Sequence, residues 1–95
     1  MTTSDTLYER RSRQIAIIDI LWAYSNEHGL RPYPVSFADL NTQFQSPDIM
    51  DLREHGLVVL DTDHNGHPGA SLTERALSTT LSGVKTIIRI HLDNP

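Results

Sequence analysis

The residues best suited to chemistry crowd into one short stretch. Asp61-Thr-Asp63-His-Asn65-Gly66 reproduces the first six positions of a calcium loop, D-x-D-x-N-G, where alternate oxygens turn toward the ion. The bidentate carboxylate that closes such a loop belongs at its twelfth position, and Leu72 stands there. A hairpin turn asks for Asp, Asn and Gly on backbone grounds alone. His64-x-x-His67, with Asp61 and Asp63, has donor types suited to zinc or nickel. In a flexible turn beside Pro68 the same residues read as exposed polar side chains, so no metal and no cofactor is expected. The chain has no cysteine, which excludes disulfides, thiolate catalysis and cysteine-type zinc sites together. It also lacks a nucleophile elbow, a phosphate loop and a His-Glu-x-x-His motif. A non-enzymatic binding protein is the expectation.

Two charged clusters bear on what it binds. Arg10, Arg11 and Arg13 form the basic one; on a helix Arg10 and Arg13 share a side, with Arg11 turned about 100° from Arg10. The cluster reads either as a phosphate-contacting patch or as a solvated helix start paired with Asp5 or Glu9. Asp48, Asp51 and Glu54 recur at i, i+3 and i+6, with Arg53 opposing them. Turned outward, such a face repels phosphate and suits a protein partner. Eight basic residues stand against twelve acidic ones, for a net charge of −4. That balance works against binding by counterion release unless a local patch supplies it. Arg10, Arg11, Arg13 and Arg53 are the candidate nucleic-acid contacts; Asp48, Asp51 and Glu54 are candidate protein contacts.

The elements that position these residues follow from patterning. Residues 1–5 are polar and expected to be disordered. Thr6-Leu-Tyr-Glu9 is a capping box opening a helix to His28, with Gly29 as its left-handed terminator. Within it Ile15, Ile18 and Trp22 lie on one stripe and Ile17, Leu21 and Tyr24 on another. A surface helix needs only one. The second predicts either a homodimer across Ile17, Leu21 and Tyr24 or a helix wrapped by its own C-terminal segment. After a Leu30–Pro34 loop, Ser36 caps a second helix buried through Phe37, Leu40 and Phe44. Ser46-Pro47 opens a third, with Ile49 and Leu52 inward and Gly56 as its stop. Leu57 to Leu60 and Ala70 to Leu72 are strands about an Asn65-Gly66 turn. Thr73 caps a fourth helix carrying Leu77 and Leu81, with Gly83 at its end. Residues 84–92 alternate at Ile88, Ile90 and Leu92, yet Val84, Ile87, Ile88 and His91 also fit helical spacing. β-Branched content favours a strand, with Ile88 and Ile90 as further dimer contacts.

The apolar run from Ile15 to Tyr24, broken by Asp19, falls short of the roughly 20 residues a bilayer span needs. With no secretory signal in the polar start, a cytoplasmic protein is the simplest expectation.

With those residues in place, Leu52-Arg-Glu-His-Gly56-Leu57-Val58 followed by Leu72-Thr-Glu-Arg75 resembles winged helix-turn-helix proteins of the MarR and ArsR type. The layout is similar to the small ArsR-like winged-helix proteins of Mu-like prophages over roughly residues 7–83. The resemblance implies one α+β domain with a three-helix core, a two-stranded wing and a fourth helix. It also implies a phage or bacterial transcription regulator that binds DNA. The acidic third helix supports the other function: a winged helix turned to protein binding, docking on or inhibiting a host factor, DNA mimicry included.

Overall fold

The computed structural model describes residues 7–43 and 45–90. The expectations for residues 1–6, Phe44, His91 and Leu92 lie outside the described residues. Helix α1 (Leu7–Glu27) is followed by β1 (Val35–Ser36), α2 (Phe37–Leu40), α3 (Pro47–Glu54), β2 (Val58–Thr62), β3 (Pro68–Leu72), α4 (Glu74–Ser78) and α5 (Leu81–Ile90). The architecture is α+β. The starts of α2, α3 and α4 are set by the expected hydroxyl caps. The Ser36 Oγ accepts from the Asp39 N–H at 3.2 Å, the Ser46 Oγ from Ile49 at 3.3 Å, and the Thr73 Oγ1 from Ala76 at 3.0 Å. Each satisfies a first-turn amide that the helix itself leaves open.

The sheet is antiparallel, in the order β1-β3-β2. Val58 pairs with Leu72 and Thr62 with Pro68, so the hairpin closes around residues 63–67. The Gly66 N–H donates to the Asp63 carbonyl at 3.0 Å, and the Asp63 N–H to the His67 carbonyl at 2.9 Å. Gly66 takes φ 84°, the left-handed residue that follows the tight turn in a three-residue hairpin connection. On the other side of β3, Val35 pairs with Ala70 and Ser36 with Gly69. This two-residue strand was not expected; it is too short to show a period. Gly69 is what admits it, since a Cβ there would lie 2.0 Å from the Val35 carbonyl oxygen.

The C-terminal segment corrects two expectations. Residues 81–90 form a helix rather than the favoured strand, and Gly83 lies inside it. The fourth helix ends earlier, at Ser78, where Thr79 turns extended at ψ 151°. Tertiary packing overrides β-branched propensity here: Val84 and Ile88, four apart, are both fully buried, and α5 lies along α1.

That contact explains why α1 is apolar on more than one side. It packs against α5 and also against α2, α3 and β3. Ile17 and Leu21, expected at a dimer interface, are 3% and 0% exposed and belong to the chain's own core with Ile18, Leu52, Leu72 and Ile88. Ile88 is likewise internal, whereas Ile90 is exposed. The reading in which the C-terminal segment wraps α1 is the one the fold follows.

Candidate functional site

The arginine cluster and the acidic face turn toward each other. The Arg13 guanidinium grips Asp48 in a fork, Nε to Oδ2 at 2.8 Å and Nη2 to Oδ1 at 3.2 Å. The Arg11 Nη1 donates to the Gln14 Oε1 at 2.7 Å and to the Asp51 Oδ2 at 3.2 Å, and the Arg10 Nη1 lies 3.7 Å from the same oxygen. Gln14, fully buried, donates its Nε2 to the Asp48 carbonyl at 3.1 Å and toward the Asp51 Oδ2 at 3.4 Å. Arg11 and Asp48 are buried to 7% and 6% exposure. These residues fasten α3 to α1. Asp48 and Asp51, expected to face outward, point back into that joint, because the Asp48–Asp51 spacing matches the Arg10–Arg13 spacing across the crossing. Of the three carboxylates, Glu54 alone stays exposed.

What α3 presents outward is different in kind. Met50, Arg53 and Glu54 form one wall of a shallow groove of about 540 Å³, and Val58, Val59 and Leu60 of β2 form the other. Met50 is 46%, Val59 45% and Leu60 39% exposed, a high share for apolar side chains, and as strand neighbours Val59 and Leu60 turn to opposite faces of the sheet. β2 is also the edge of the sheet. In the antiparallel ladder, Asp63 bonds to His67 and the Thr73 N–H bonds to the Leu57 carbonyl at 3.2 Å. The residues between them alternate, so Val59 and Asp61 turn their backbone groups to β3 while Leu60 turns its own to the open side. The patterning exposed none of this, because Met50 and Leu60 read as ordinary apolar positions.

The hairpin loop holds its acid inward on the backbone. The Asp63 Oδ1 accepts from the His67 N–H at 2.8 Å and from the Asn65 N–H at 2.9 Å. The bond from His67, then that from Asn65, with lesser help from the two imidazoles, holds its carboxyl below the usual carboxylate range. This is the Asx chemistry of a turn rather than that of an ion site. Among the described residues, no group of three His, Asp or Glu side chains is placed to hold a metal.

The loop is tethered through Tyr33, whose hydroxyl bonds to the His64 ring. The Tyr33 ring stacks on His28 at 3.7 Å and on Tyr24 at 5.9 Å between centroids. Tyr24, expected at a dimer interface, spends its ring in this stack. Nothing in the Leu30–Pro34 segment signalled the role of Tyr33.

Comparisons with models of protein families, with curated proteins and with solved structures gave no match. Among the described residues, no helix is long and apolar enough to cross a membrane.

Proposed function

We propose that this chain is a non-enzymatic winged-helix protein, similar to the small ArsR-like proteins of Mu-like prophages, whose α3–β2 surface takes a protein partner. The order of a long helix, a short helix pair, a hairpin and a further helix supports the winged-helix reading. One observation carries the choice of partner. Where a regulator of this shape offers cations to phosphate, α3 offers Met50 and the Arg53–Glu54 pair beside exposed Val59 and Leu60. The arginines of α1, Arg10, Arg11 and Arg13, are engaged with Asp48 and Asp51. The hairpin contributes Asp61, Asp63, His64 and His67 and no Lys or Arg. DNA-bound transcription regulation is the second reading, favoured by the outward Arg53 on a helix that follows a tight turn.

Titration of random duplex DNA at low and at moderate salt separates the two. No association at low salt is the expected result. Affinity that collapses as salt rises, and that Arg53→Ala weakens, would overturn the protein-partner reading.

A further inference from the structure

We infer that the cleft between the start of α1 and the end of α5 binds a small phosphate monoester, its phosphate held at Arg89 and its apolar body laid over Ile15. Tyr8, Arg11, Ser12 and Ile15 line one side of this cleft of about 360 Å³, and Arg89 lines the other. The first four fall at i, i+3, i+4 and i+7, so they share one face of α1. None of the five lines the α3–β2 groove, and the inference is independent of what that groove takes.

The lining selects an anion. Among the described residues it carries two guanidiniums and two hydroxyls and no carboxylate, in a chain where twelve acids outnumber eight bases. Lys85, the other cation of α5, is paired with Asp19 at 2.8 Å. Among the described residues no acid pairs with Arg89, and the Tyr8 and Ser12 hydroxyls make no hydrogen bond. Arg11 is held through Nη1 to Gln14 and Asp51, which fixes its charge at the cleft wall. Donors therefore come from both helices. A planar carboxylate is satisfied by one guanidinium fork, whereas the three oxygens of a phosphate point apart and use donors on both sides. The volume lies within the range of small-molecule sites and leaves room for more than the phosphate. Half-buried Ile15 and the exposed Tyr8 ring offer the rest of the ligand an apolar surface.

Isothermal titration calorimetry with phenyl phosphate, inorganic phosphate and benzoate tests it. Phenyl phosphate should bind about tenfold or more tightly than inorganic phosphate, which lacks the apolar body, and than benzoate, which lacks the tetrahedral head. Arg89→Ala should weaken phenyl phosphate about tenfold or more. Arg89 is exposed, so the circular dichroism should not change. Arg31→Ala removes an exposed arginine beyond the far end of α1 and should leave binding as it is. No binding of phenyl phosphate at millimolar concentration overturns the inference. So does benzoate or inorganic phosphate binding as tightly as phenyl phosphate. An equal loss in R89A and R31A also overturns it, because that pattern is the general attraction of an anion to any cation.

Discussion

Two residues test how tightly the sheet and its hairpin are specified. Gly69 sits where β1 pairs with β3, and an added Cβ meets backbone, at 2.0 Å from the Val35 oxygen and 2.8 Å from the Ser36 Cα. Backbone cannot rotate away as a side-chain tip can. Gly69→Ala should therefore cost about 3 kcal/mol in urea denaturation, the upper part of the overpacking range. A loss below about 0.5 kcal/mol, the level of an ordinary surface change, would mean that β1 does not lie on β3. Asp63 tests the loop through pH. Its pKa is lowered in the fold by the N–H groups of His67 and Asn65. The carboxylate thus holds the loop fully above its ordinary value of 3.8, and the hold is lost as pH falls through the lowered value. Exchange of the His67 and Asn65 amides should accelerate over that acid range in the native protein and be fast at neutral pH in Asp63→Ala. Equal protection in the variant at neutral pH would show that the turn needs no carboxylate.

At the scale of elements, the joint between α1 and α3 decides where the outward face of α3 points. Asp48 is almost wholly buried, but the Arg13 side chain that forks onto it is 48% exposed, so solvent screens the pair. Arg13→Ala should cost about 1–2 kcal/mol, less than the rupture of a fully buried ion pair. Asp48→Asn should cost a similar amount, and the double variant little more than either single one. Strict additivity in that cycle would show that the fork carries no coupling. How far this was legible in the sequence differs by element. The caps at Ser36, Ser46 and Thr73 and the turn at Gly66 are local devices, readable from a few adjacent residues. The pairing of Arg13 with Asp48 is not, because it joins residues 35 positions apart and depends on how two helices cross. Each cluster read alone looked solvent-facing; together they neutralise one another. For the same reason the groove was invisible: Met50 and Leu60 are exposed because none of the described residues covers them.

The whole molecule depends on α5 closing over α1, and the sequence left that segment open because it satisfied two periods at once. Ile88 and Ile90 make the difference measurable. In a strand they would share a face and be buried alike, since side chains repeat every second residue. In the helix they are turned apart: Ile88 is fully buried and Ile90 is 52% exposed. Ile88→Ala leaves a cavity against α1 and should cost about 3 kcal/mol. At roughly 4–8 °C per kcal/mol for a domain of this size, that lowers Tm by well over 10 °C. Ile90→Ala should change stability by no more than about 0.5 kcal/mol. The asymmetry also bears on assembly. If α1 kept an apolar stripe for another copy, losing Ile88 would disturb an interface, and the damage would fade at high protein concentration. With α5 as the cover, the loss in Tm stays the same across concentration. Equal losses at Ile88 and Ile90 would return the segment to a strand and α1 to the interface.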